Sequence, residues 1–107
     1  MLFRSRVKEA GVPILYAHWS GGQDELVFDG ASFAINKDGS VGYQEREFTE
    51  ALGLVDYVNG AFKGAVHATP SVEASVYQAL VVALRDYVNK NGFPGVLLGL
   101  SDRKSVV

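Results

Sequence analysis

Val72–Lys90 reads VEASVYQALVVALRDYVNK and runs through Asn91-Gly92-Phe93-Pro94 into Gly95-Val96-Leu97-Leu98-Gly99-Leu100-Ser101. Val72, Val76, Leu80, Ala83 and Tyr87 recur at steps of three and four, with Tyr77, Val81, Leu84 and Val88 widening the stripe. This spacing predicts a helix that is largely covered. Thr69 is placed to cap it with Pro70 at the first helical position, and Glu73 puts a negative charge where the helix dipole favours one. Asn91-Gly92 ends it, since glycine adopts the left-handed conformation of a helix C-terminus without steric cost. The apolar run Gly95 to Ser101 has the length of a strand, and a helix followed by a buried strand is half of an α/β unit.

Upstream, Val66-His67-Ala68-Thr69-Pro70-Ser71 reads as a linker, because the residue before a proline is disfavoured in a helix. Gln44 to Lys63 mixes Glu45, Arg46, Glu47 and Glu50 with apolar residues and shows no single period, so it is expected to be irregular, with one helical turn or short strand around Ala51 to Val58. Asn36-Lys37-Asp38-Gly39 supplies a hairpin turn, and Ser40-Val41-Gly42-Tyr43 the returning strand. Ahead of it, Phe33 and Ile35 share a face by strand alternation, Leu26-Val27-Phe28 is a further strand, and Gly30 marks a bulge or a close backbone approach. Ile14-Leu15-Tyr16-Ala17 predicts a strand buried on both faces, leading into a loop at His18-Trp19-Ser20-Gly21-Gly22.

The 107 residues, 48% hydrophobic, suffice for one ordinary domain. Ten Lys+Arg against twelve Asp+Glu leave a net charge of −2, with no basic excess to hold a phosphate backbone or an anionic membrane. Neither nucleic acid nor membrane is an expected partner. Zero cysteines exclude a disulfide framework, a thiolate zinc site and a cysteine nucleophile within these residues. No apolar run is long enough for a membrane span and no signal-peptide pattern opens the chain, so the expected location is the cytoplasm.

Few residues offer chemistry. His18, Ser20 and Asp24 lie within one short stretch, where nucleophile, base and orienting acid cannot easily converge, and a structural loop is the expected reading. Asp24, Glu25 and Asp29 lack the spacing of a calcium loop and are expected to be solvated or to cap backbone groups. His67 is expected to be solvated; two histidines cannot build a histidine metal cluster, and no metal site is expected. Phe28, Phe33, Tyr43 and Phe48 have no interleaved basic residues and read as core rather than as base-stacking platforms.

Two stretches resemble adjoining parts of one enzyme family, the glutamine-dependent NAD(+) synthetases. Gly21-Gly22-Gln23-Asp24-Glu25-Leu26-Val27-Phe28-Asp29-Gly30-Ala31-Ser32-Phe33 is similar to their glutaminase domain after the catalytic cysteine. Its Phe-x-Gly-x-Ser core, followed by Asp38-Gly39, is shared by the wider nitrilase, or carbon–nitrogen hydrolase, superfamily, while His18-Trp19-Ser20 departs from the synthetase pattern. Val76 to Leu80, Leu84 to Val88 and Asn91 to Ser101 resemble the first helix and strand of the synthetase domain, where Gly99, Leu100 and Ser101 match the opening of an ATP-binding loop.

The resemblance implies an α/β fold class: the C-terminal part of a nitrilase-like αββα sandwich over residues 6–66, a linker at 67–71, and the first helix and strand of a doubly wound nucleotide-binding domain at 72–101. It implies a cytoplasmic, homo-oligomeric parent ligase that takes ammonia from glutamine through a Glu-Lys-Cys triad. That parent activates nicotinic acid adenine dinucleotide with ATP and magnesium, so that ammonia displaces AMP. None of the triad falls in this chain, which is therefore expected to bind no cofactor and to be inactive alone. Alternatives are a fragment of a stand-alone nitrilase-type amidase, or a small non-catalytic binding or oligomerisation module.

The ends read differently from their surroundings, with Asp102-Arg103-Lys104 standing where a phosphate loop needs glycine. Asp102 to Val107 is what the sequencing-adapter codons GAT CGG AAG AGC GTC GTG would encode, and Met1 to Ser5 what GTG CTC TTC CGA TCT would encode with initiation at GTG. Residues 1–5 and 102–107 are thus expected to be non-native. Sheet partners lost in this way would leave open edges and apolar patches.

Overall fold

Asn36 to Gly39 folds back on itself as its composition requires. Gly39, at φ +87°, donates its N–H to the Asn36 carbonyl at 2.8 Å, and the Asp38 carboxylate accepts from the Ser40 N–H at 2.9 Å. In the computed structural model, which describes residues 2–101, this turn joins β4 (Phe33–Ile35) to β5 (Val41–Gln44). β1 (Ile14–Tyr16) pairs antiparallel with the other edge of β4, giving a sheet in the order β1-β4-β5. Over it lies α1 (Leu2–Ala10), whose Val7 is buried and whose Phe3 ring stands 5.1 Å from both Tyr16 and Phe33. Gly11, at φ +66°, closes the helix by donating to the Val7 carbonyl.

β2 (Ser20–Gln23) and β3 (Leu26–Asp29) form a separate antiparallel hairpin, turned through Asp24 at φ +53°. The stretch expected to be a glycine loop is therefore largely a strand, because a facing strand of matching length supplies its ladder. Gly30 takes φ +70° and packs on Ser20, a close approach in accord with its reading.

A third hairpin, β6 (Asp56–Val58) and β7 (Ala61–Lys63), lies in the region expected to be irregular; β6 falls within Ala51 to Val58, where one helical turn or short strand was expected, and β7 was not expected. Asn59 and Gly60 both adopt positive φ, the two-residue turn whose twist matches that of antiparallel strands. The Asn36 amide receives the hairpin: its Oδ1 accepts from the Phe62 N–H at 2.7 Å and its Nδ2 donates to the Phe62 carbonyl at 3.2 Å. Beyond β7 the chain is tied down again, as Gln44 donates to Ala65 and accepts from the His67 N–H, each at 3.0 Å.

α2 spans Val72–Lys90, the range its periodicity predicts. Its cap is Ser71 rather than Thr69: Ser71 is extended, and its hydroxyl accepts from the Ala74 N–H at 3.2 Å. At the far end Gly92, at φ +67°, donates to the Asn89 carbonyl and Phe93 donates to that of Val88, with the Phe93 ring against Tyr87. Two expectations of burial fail, and one of a strand. The helix is not largely covered, since Val82 alone is fully buried, and β1 is not buried on both faces, since Leu15 is exposed. Gly95 to Ser101 is exposed irregular backbone rather than a strand; a strand needs a ladder partner, and none faces it among the described residues. The chain exposes 8482 Å², against roughly 5800 Å² for a compact monomer of this mass. Among the described residues no helix is long and apolar enough to cross a membrane.

Candidate functional site

The β2–β3 hairpin meets α2 at Gly22. Its N–H donates to the Asp86 carboxylate at 2.7 Å, and its carbonyl accepts from the Lys90 ammonium at 2.5 Å. The strand backbone reaches the helix because Gly22 has no side chain; a Cβ there would stand 3.2 Å from Ala83 Cα and Asp86 Cβ. Trp19, Gly21, Gly22, Phe28 and Lys90 line a cavity of about 390 Å³ beside this junction, with the Trp19 and Phe28 rings stacked 6.1 Å apart. Nearer the start of α2, the Ser75 hydroxyl donates to Glu47 at 2.6 Å. The two stretches that carry the family resemblance thus touch at this seam.

A second polar group lies on β5 and its continuation. The buried Tyr43 hydroxyl donates to Glu45 Oε2 at 2.5 Å, the Arg46 N–H donates to Glu45 Oε1 at 2.9 Å, and His67 Nε2 lies 3.7 Å from the same oxygen. The Tyr43 bond, the Arg46 N–H and the nearby histidine hold the Glu45 carboxyl below the ordinary carboxylate range. The same bond pushes the Tyr43 phenol above its ordinary value. His67, expected to be solvated, is instead half-buried beside this carboxylate.

The His18, Ser20 and Asp24 set does not assemble. The His18 imidazole faces Asp29 at 3.5 Å, its backbone N–H donates to the Ser32 hydroxyl at 2.9 Å, and that hydroxyl donates back to the His18 carbonyl. Asp24 sits in the β2–β3 turn. Among the described residues no three His, Asp or Glu side chains gather closely enough to hold a metal ion, and Asp24, Glu25 and Asp29 do not converge. Asp86 and Lys90 escaped the sequence reading. The signal was available in their spacing of one helical turn, but nothing nearby in sequence names Gly22, 64 and 68 residues away, as their partner.

Gly99, Leu100 and Ser101 are exposed, and a Cβ on Gly99 would meet nothing within 4 Å. Backbone and hydroxyl donors are accessible there, but among the described residues no helix N-terminus follows them and no carboxylate cluster for magnesium lies near. Asp102 to Val107 and Met1, part of the ends read as adapter-encoded, lie outside the described residues, whereas Leu2 to Ser5 form the first turn of α1.

Fold and seam together define a mixed helix-and-strand chain in which short antiparallel sheets are joined through a glycine contact to a long C-terminal helix. No protein-family model matches it. The chain is nonetheless a relative of the glutamine-dependent NAD(+) synthetases. It is 45% identical to that of Rhodobacter capsulatus over 102 residues, covering 91% of this chain and 18% of the relative. Against the Acinetobacter baylyi enzyme it is 42% identical over 88% of its length and 18% of the relative. The solved structure of the Acinetobacter baumannii synthetase in complex with ADP superposes with a TM-score of 0.81 at 37% identity, covering 89% of this chain and 19% of that one. The chain spans less than a fifth of the length of these relatives.

Proposed function

We propose that the chain is the junction segment of a glutamine-dependent NAD(+) synthetase, an ATP-dependent ligase that makes NAD from nicotinic acid adenine dinucleotide and ammonia released from glutamine. Residues 6–66 are the C-terminal part of its nitrilase-like glutaminase sandwich, 67–71 the linker, and 72–101 the first helix and strand of its doubly wound synthetase domain. The observation that carries this reading is continuity: a single alignment at 45% identity overall covers 91% of the chain. Gly99, Leu100 and Ser101 open the ATP-binding loop, and ATP and magnesium serve the complete cytoplasmic, homo-oligomeric enzyme. The segment itself holds no member of a glutaminase triad and no complete nucleotide site, so it is inactive alone.

The DNA flanking residues 6–101 in the source genome tests this reading. It is expected to encode a cysteine with its glutamate and lysine upstream, and Gly-Gly-x-Asp-Ser directly after Ser101. A triad upstream followed by a stop would make it an amidase segment, and neither feature a non-catalytic module. Glutamine hydrolysis by the purified 107-residue chain would contradict the proposed inactivity.

A further inference from the structure

We infer that Asp86 and Lys90 are positioning residues that set the register of α2 on the β2–β3 hairpin by gripping one peptide unit, that of Gly22. The inference deepens the junction reading above and rests on it, since it assigns to the junction the contact that orients one domain on the other. Asp86 and Lys90 stand one turn apart on one helix face. The carboxylate meets the Gly22 N–H and the ammonium meets the Gly22 carbonyl. Each charge therefore faces the complementary end of a peptide dipole, an arrangement of charge-assisted bonds stronger than neutral ones.

The grip specifies position in two ways. A slip of α2 by one turn, about 5.4 Å, breaks both bonds at once. Gly22 lies so close to Ala83 and Asp86 that a Cβ there would stand 3.2 Å from each, and any side chain would push the helix back from the strand. Gly22 turns both backbone groups toward α2, which thereby covers the edge of β2 that β3 does not pair. Apolar packing does not do this work, because Val82 is the one fully buried residue of α2.

The chain supplies its own reporter. Trp19 is its single tryptophan and lines the cavity beside Gly22 and Lys90, and the absence of cysteine lets an Asn89→Cys variant carry one dansyl acceptor. Energy transfer from Trp19 to the label reads docking. Asp86→Ala and Lys90→Met are each expected to lower the docked-to-undocked ratio about tenfold. Asp86→Asn, which keeps an acceptor for the Gly22 N–H, is expected to restore most of it.

Loss of transfer with rescue by Asp86→Asn supports the grip, whether or not helical ellipticity falls with it. Undiminished transfer in the Asp86→Ala/Lys90→Met double variant overturns it, as does equal loss in Asp86→Asn and Asp86→Ala, or no transfer in the labelled chain without other substitutions. The readout needs no turnover. Its failure leaves the synthetase reading standing, whereas flanking DNA without the expected motifs would remove the domain-orienting role while leaving the energy-transfer result for the contact itself unchanged.

Discussion

Around the β1-β4-β5 sheet, Val7, Ala34, Ile35 and Tyr43 are buried against strands and helix from the same chain. Along α2, the longest element, Val72, Val76, Tyr77, Leu80, Leu84 and Tyr87 face solvent and Val82 alone is buried. The two regions have comparable apolar character in sequence and opposite fates in structure. A stripe of valine, leucine and tyrosine reports that a helix is built to be covered, not that its cover is present. The sheet is held by side-chain burial, whereas α2 is held chiefly by polar contacts at Glu47 and Gly22.

On that contrast, Ile35→Ala is the most damaging simple truncation. Ile35 is 1% exposed, and its loss is expected to cost about 2–5 kcal/mol in urea unfolding. A cost near zero would erase the distinction between the regions.

Tyr43→Phe comes next, with an expected loss of about 1 kcal/mol at neutral pH. Because Glu45 is held below its ordinary value in the folded chain, the stability that it contributes is present above the ordinary carboxylate range and lost as pH falls through its lowered pKa. Tyr43 is raised, so its share is present below the ordinary phenol value and lost as pH climbs through the raised pKa. Tyr43→Phe is therefore expected to flatten both limbs of the stability profile between acid and alkaline pH. A profile parallel to that of the unsubstituted chain would detach the pair from the fold.

Much of the sheet was legible because its signals are local. Ile14 to Tyr16 is an apolar run, Asn36 to Gly39 a turn with its own chemistry, and Val72 to Lys90 a helix period ended by Asn91-Gly92, although its cap is Ser71 and not the expected Thr69. The misses share a cause in what lies outside the window. Ser20 to Gln23 is a strand because Leu26 to Asp29 faces it, although two glycines weaken its pattern. Gly95 to Ser101 has a strand's composition without a partner to make it one. The β6–β7 hairpin is different: Asn59-Gly60 is a strong local turn signal, obscured because Ala51 to Val58 alternates poorly. At the seam, the glycines and the helix were each visible, while the bonds that join them depend on the tertiary fold.

Smaller effects sharpen the contrast from the other side. Leu80→Ala removes a side chain from a residue 66% exposed and is expected to change stability by no more than about 0.5 kcal/mol, although it should reduce concentration-dependent association in sedimentation. The Arg6–Glu9 pair on α1 has both side chains 63% exposed. Glu9→Gln is expected to cost about 0.3 kcal/mol at low ionic strength, and nothing measurable in high salt.

Native-state hydrogen exchange, read residue by residue, tests the division between the two regions most directly. Amides of β4 and β5 are expected to exchange only through the most costly opening of the chain, while those in the middle of α2 open at least about tenfold more often. Equal protection across Ala34, Tyr43 and Val82, lost together as denaturant is added, would contradict the account by making the helix as much a part of the closed core as the sheet.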